Sequence, residues 1–163
     1  MRWVTFVANT ENMLIEYSKI IAGCKMLSAY DGKHGVGTDG QTLYKKVALT
    51  DSENDLIKNY VREGWKLIES RIATSLDVES SFGTTGITVY IDSDAERAAG
   101  GTSGINSSSL LGSVEETLQT FAMYRWLEDK NPTRSQNYYN MFNLMLGSTA
   151  KIALSKKKPE LDD

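Results

Sequence analysis

The sequence predicts a mainly α-helical protein: a bundle of about four helices with a small β-hairpin and long glycine-rich loops. Apolar residues recur every three or four positions in four separate segments, which is the spacing of a helix with one buried face. One segment instead alternates with a period of two, and two stretches are rich in glycine. The 163 residues, 40% hydrophobic and 24% charged, fit a single globular domain spanning residues 1–163.

The first helix is predicted over about residues 10–26, after a segment at 2–7 that suits a strand or an extended arm. Its expected buried residues share helical spacing. They are Met13, Leu14, Tyr17, Ile20, Ile21 and Cys24. Residues 28–49 contain four glycines, which make regular structure costly, so a long surface loop is expected there.

The second helix is predicted over about residues 51–74. Thr50 stands three positions before Glu53, the capping-box spacing in which each residue satisfies a free amide of the other. A wide apolar stripe follows, formed by Leu56, Ile57, Tyr60, Val61, Trp65, Ile68 and Ile72.

A β-hairpin is predicted between residues 76 and 92. Ile87, Val89 and Ile91 alternate with polar or aromatic neighbours after a Gly-Thr-Thr-Gly break, which is the pattern of a half-buried strand. Residues 93–109 are dominated by Ser, Gly, Ala and Asp, so a flexible loop is expected because little apolar surface offsets its ordering entropy.

Two further helices are predicted in the last third of the chain. The third starts at the serines 107–109 and ends at Asn131-Pro132, with a buried side of Leu110, Val114, Leu118, Phe121, Ala122 and Trp126. The fourth starts near Thr133 or Ser135 and ends near Lys156. Its stripe consists of Tyr138, Met141, Phe142, Met145, Leu146, Thr149, Ile152 and Ala153. Residues 156–163 are expected to form a C-terminal tail.

The composition argues against several kinds of site. The net charge of −3 gives no basic footprint for gripping nucleic acid, and one cysteine allows neither an internal disulfide nor a multi-cysteine zinc site. The single histidine, His34, falls in the predicted loop, and a buried Cys24 would have a raised pKa. The glycine string at 35–40 lacks the preceding strand of a dinucleotide site. No catalytic residue, metal or cofactor is predicted, nor a signal peptide or membrane helix.

The aromatic residues outside the helical stripes are candidate subunit contacts, since aromatic side chains are enriched at interfaces. A run of lysines at the end of the last helix either complements the helix dipole or begins a docking tail. The predicted interface residues are Trp3, Phe6, Phe82, Tyr90, Ile105, Lys156, Lys157 and Lys158.

The chain resembles the head–tail connector proteins (neck or head-completion adaptors) of tailed bacteriophages. The resemblance covers most of the chain and is carried by Ser18–Met26, Leu49–Glu53, Leu56–Ile57, Trp65–Glu69 and the Lys156–Pro159 end of the last helix. It implies a homo-oligomeric ring, commonly twelvefold, that binds portal and tail proteins in the virion neck. It also implies a channel that DNA passes without specific binding, and synthesis in the host bacterial cytoplasm.

Other functions remain open on the sequence. Another tail-completion or virion component would share these features. A stand-alone helical regulatory or DNA-binding domain would need a basic face, and the basic residues are dispersed apart from Lys156–Lys158. An enzyme would need catalytic carboxylates that only folding could bring together.

Overall fold

Four helices and a three-stranded antiparallel sheet make up the protein in this computed structural model, which describes residues 10–34, 47–74, 77–92 and 107–154. The predicted helical fold class is confirmed. The strands are β1 (Thr10–Glu16), β2 (Asp77–Phe82) and β3 (Gly86–Asp92). The helices are α1 (Tyr17–His34), α2 (Asn54–Ile72), α3 (Ser107–Leu127) and α4 (Pro132–Leu154).

The predicted hairpin is confirmed, and it carries a third strand. β3 lies in the middle and pairs antiparallel with both β1 and β2. The turn is closed by a bond from the Gly83 amide to the Gly86 carbonyl (2.9 Å). Because side chains alternate across a sheet, Ile87, Val89 and Ile91 all face the helices and are buried.

The first helix was predicted to begin near residue 10, which is wrong: residues 10–16 form β1. Met13 and Ile15 are buried while Leu14 between them is 46% exposed, which is a period of two. The run Met13–Ile15 is apolar throughout and therefore fits either period. Backbone pairing with β3 decides for the strand, because it satisfies the hydrogen-bonding groups along the edge of β3.

The loop predicted from residue 28 is also wrong over its first part, because α1 continues to His34. Ser28 is fully buried and its hydroxyl accepts a bond from the Leu49 amide (2.9 Å). The carboxylate of Asp31 accepts bonds from Arg134 Nε (3.1 Å) and from the Tyr138 hydroxyl (2.8 Å). These tertiary contacts hold the last turns of α1 despite the glycine at position 32.

The second helix begins where the capping pattern predicts it. Asp51–Glu53 form a 3-10 turn before α2, and the Glu53 carboxylate accepts bonds from the amide (2.8 Å) and the hydroxyl (2.6 Å) of Thr50. These two bonds hold the pKa of Glu53 below its usual value, because they favour the charged carboxylate.

Asn131-Pro132 begins α4, whereas α3 ends earlier, at Leu127. The Asn131 side chain accepts a bond from the Arg134 amide (3.2 Å), so Asn131 caps the helix and Pro132 occupies its first position, where a missing amide costs nothing. Burial raises the pKa of Tyr138 in the following turn, and its bond to Asp31 raises it further.

The core lies around α3, which packs against α1, α2, α4 and β1. The prediction that five large aromatic residues fill it is confirmed: Trp65, Phe121, Trp126, Tyr138 and Phe142 are buried. Met141, predicted to be buried, is instead 47% exposed. Among the described residues, no helix combines the length and apolarity that crossing a bilayer requires.

Candidate subunit interface

Two of the eight predicted interface residues belong to the described part of the chain, and they lie on opposite faces of the sheet. Phe82 faces the helices at the turn end of β2, where it is 43% exposed and its ring lies 5.9 Å from Lys66 Nζ. Tyr90 lies half-buried on the outer face of β3, where its backbone pairs in register with Asn12 on β1 and Glu79 on β2. The structure therefore does not bring these two residues together.

The remaining predicted interface residues lie outside the described ranges. These are Trp3, Phe6, Ile105, Lys156, Lys157 and Lys158.

The outer face of α4 is a surface that the prediction did not include. From Ser135 to Ala150, sixteen consecutive residues carry no charge, although much of this segment is exposed. The exposed positions are Gln136, Asn137, Tyr139, Asn140, Met141, Asn143, Leu144 and Ser148. Charged residues are depleted at the centre of protein interfaces, so this face has the composition of a contact surface.

An aromatic groove of about 560 Å³ lies between α2 and α4. The two helices form its walls and α3 forms its floor, because both pack on α3 more extensively than on each other. We call it the α2–α4 groove. Its apolar lining consists of Leu67, Phe121, Tyr124, Tyr139, Phe142 and Leu146.

The aromatic rings of the groove hold one another in place. Phe121 packs on Phe142 with ring centroids 5.0 Å apart and on Tyr124 at 5.7 Å, and Tyr124 packs on Tyr139 at 5.0 Å. Such tilted and edge-to-face pairs stabilise by about 0.5–1.5 kcal/mol beyond their burial. The lining is therefore preorganised, which lowers the cost of docking a partner.

Ion pairs satisfy the charge on the groove floor. Arg125 Nε lies 3.2 Å from Glu63 Oε2, and its Nη1 lies 3.1 Å from Glu128 Oε2. The guanidinium also lies over the Tyr60 ring, 5.3 Å from the centroid. The groove thus presents apolar surface with the paired Arg125 on its floor and Arg71 on its α2 wall, which suits a peptide surface better than a small charged substrate.

A second charge-poor surface runs along α1. Ser18, Ala22, Met26 and Tyr30 are exposed and recur every fourth residue, which places them in one row along the helix. We call this row the α1 ridge. Met26 is 76% and Tyr30 60% exposed. Among the described side chains of α1, Lys19 is the one that is both charged and exposed. The exposed side of α2, by contrast, carries Asp55, Glu63, Lys66 and Arg71.

A smaller cavity of about 430 Å³ lies where α1 and α2 begin. Both lysines that line the cavity form ion pairs. Lys25 binds Asp51, and Lys58 Nζ lies 3.9 Å from Asp55. The Tyr17 hydroxyl accepts a bond from Arg62 Nε (2.9 Å). Because each of these cations has a partner, the cavity has little positive charge left for an anion.

The described residues include no cluster of three or more His, Cys, Asp or Glu side chains placed to hold a metal ion. His34 is the last residue of α1, where a loop position was predicted. Cys24 is fully buried against α3, as predicted, with its Sγ 3.8 Å from the Gln119 carbonyl oxygen.

Burial raises the pKa of the Cys24 thiol from 9.0 to about 12. The folded protein is therefore expected to resist thiol-specific reagents at pH 8, with labelling that follows unfolding. The unfolded chain loses this proton above pH 9 while the folded chain keeps it, so the contribution to stability is complete below pH 9 and is lost as pH rises toward 12. Labelling followed by mass spectrometry over a urea series measures the first effect. Rapid labelling without urea would contradict it.

The sequence does contain the signal for the α4 surface, namely a helical segment without charge between Arg134 and Lys151. Apolar periodicity alone misses it, because the exposed positions include asparagine, glutamine and serine as well as Met141 and Leu144. The groove has no comparable signal, since its lining comes from three helices that are distant in sequence. Comparison with protein-family models, with curated proteins and with solved structures gives no match for this chain.

Proposed function

We propose that this chain is a structural subunit of a bacteriophage neck, which assembles with copies of itself into a ring between portal and tail and leaves a channel for DNA. The proposal that the chain assembles rests on three surfaces taken together: the uncharged α4 face, the α2–α4 groove and the α1 ridge. Charged residues are depleted at the core of protein interfaces, so surfaces of this composition support an assembly. The place in the virion comes from the sequence resemblance.

The resemblance also implies a four-helix core with a hairpin or long loop that reaches neighbouring subunits, and the fold supports the proposal in this respect. Four helices form the core, and a hairpin lies beside them with Phe82 exposed next to its turn. The groove rings are fixed by their own contacts, which suits a permanent contact surface. A ring of twelve copies is the number that the resemblance suggests.

The charge of the chain suits passage of DNA without binding. A ring multiplies the −3 of each subunit, and a negative bore repels phosphate so that the duplex slides without adhering. The role requires no catalytic residue and no cofactor.

Cryo-electron microscopy of virions that contain the chain tests this proposal. The expected result is a ring below the portal whose repeating density fits the four helices. Density for the chain elsewhere in the particle would favour another virion component. Tight duplex binding by the purified protein that weakens steeply with added salt would favour a DNA-binding domain instead.

A further inference from the structure

We propose that copies of this chain join head to tail, with the α1 ridge of one copy lying in the α2–α4 groove of the next. This inference rests on the proposed function, because it assumes that the chain assembles with itself. It identifies the two surfaces that meet and the symmetry of their contact.

The two surfaces are complementary in shape and composition. The ridge is convex, with Met26 and Tyr30 projecting from α1, whereas the groove is concave and aromatic. A row of side chains four residues apart is the kind of ridge that fits between two helices. One contact between copies would thus cover the α1 ridge together with the apolar lining of the groove, and this complementarity argues for a second copy as the occupant.

Within one copy the ridge and the groove cannot meet, because they lie on opposite sides of α3. On one side, Gln119 contacts α1: its carbonyl lies beside Cys24, and its side chain occupies the space next to Gly23. On the other side, Phe121 and Tyr124 line the groove. Residues 119 and 121 point in directions roughly 200° apart, at 3.6 residues per helical turn.

Because the ridge and the groove lie on opposite sides of α3, they determine the symmetry of the assembly. A contact between two different surfaces is heterologous, so each copy uses its ridge toward one neighbour and its groove toward the other. Such a contact generates a closed ring when the rotation between copies divides a full turn. A twofold dimer, in which both copies use the same surface, would leave either the ridges or the grooves uncovered.

The last two turns of the ridge match the groove in length. Ala22 to Tyr30 spans eight residues of α1, or roughly 12 Å at the helical rise of 1.5 Å per residue. Tyr139 to Leu146 on one groove wall spans seven residues, or roughly 10 Å. Two turns of the ridge therefore fit along the groove.

The charges at the ends of the surfaces favour one direction. Glu63 and Arg71 lie eight residues apart along the α2 wall of the groove. If α1 lies parallel to α2, Lys19 at the start of the ridge approaches Glu63, which is half-exposed beside Arg125. The reverse orientation would bring Lys19 toward Arg71.

Two variants test the contact. Met26→Glu places a charge on the ridge, and Leu67→Glu places one in the groove, where Leu67 is 45% exposed. Each is expected to weaken self-association at least tenfold in sedimentation velocity over a concentration series. Leu56→Glu is the matched control, because Leu56 lies on α2 outside the groove, is 39% exposed and receives the same change. It is expected to associate like the unchanged protein.

Mixing the two variants distinguishes head-to-tail from twofold assembly. Met26→Glu keeps its groove and Leu67→Glu keeps its ridge, so the mixture is expected to form heterodimers that grow no further, although neither variant associates alone. No heterodimer in the mixture, or undiminished association of both variants, would overturn the proposal. Circular dichroism checks the fold of each variant, and Met26→Gln with Leu67→Gln replace any that does not fold.

The outcomes separate this contact from the proposed function. If the unchanged protein associates and both variants associate equally well, the ridge and the groove are not the contact, while the neck ring remains supported. If the unchanged protein stays monomeric at every concentration, direct docking between copies is overturned, and microscopy of virions decides the neck ring separately.

Discussion

Replacement of Trp65 by alanine is expected to lower the free energy of unfolding by about 3–5 kcal/mol, the usual range for removing a buried aromatic side chain. Trp65 is fully buried between α2 and the sheet. Its indole Nε1 donates a bond to the Ser80 hydroxyl on β2 (2.7 Å), and Ser80 donates in turn to the Glu69 carboxylate. The substitution therefore opens a cavity and also leaves part of this chain of bonds unpaired.

Urea unfolding followed by circular dichroism measures the effect, and Leu56→Ala is the matched control. Leu56 lies on the same helix and is 39% exposed, so its truncation is expected to cost far less than that of Trp65. Trp65→Phe separates the two causes, because it keeps most of the ring volume and loses the bond to Ser80. A loss for Trp65→Ala no larger than that for Leu56→Ala would contradict the assignment of Trp65 to the core.

The helical core was predictable because large apolar residues at helical spacing have few alternatives to burial. The stripe of α3, from Leu110 to Trp126, is buried as predicted. β1 was not predictable in the same way, since Met13, Leu14 and Ile15 suit both periods and pairing with β3 decides between them. The end of α1 likewise depends on Asp31, whose partners Arg134 and Tyr138 lie about one hundred residues away.

The candidate interface was predicted only in part, for a physical reason. The sequence predicts contact residues at aromatic positions outside the helical stripes, but Phe82 and Tyr90 lie on different faces of the sheet. A contact surface is instead indicated by missing charge at exposed positions, as on α4 between Arg134 and Lys151. Exposure depends on packing around α3, so the sequence shows the uncharged segment and the structure shows that it is a surface.

Replacement of Gly86 by alanine is expected to lower the free energy of unfolding by about 1–3 kcal/mol, the typical cost of overpacking. Gly86 begins β3 opposite Glu16, and a Cβ atom there would lie 2.3 Å from the Ile15 carbonyl oxygen. The obstacle is backbone rather than a flexible side chain, so relief requires β1 to move away from β3. Hydrogen exchange is therefore expected to accelerate most at the amides of β1.

Gly112→Ala is the control for Gly86→Ala, because a Cβ atom at Gly112 in α3 meets nothing within 4 Å. Alanine is the better helix former, so Gly112→Ala is expected to raise the free energy of unfolding by about 1 kcal/mol or slightly less. Both substitutions add one methyl group, and their opposite signs follow from the backbone obstacle at Gly86 and from the helix propensity of alanine at Gly112. If Gly86→Ala left β1 exchange unchanged, the close approach of β1 to β3 at this position would be wrong.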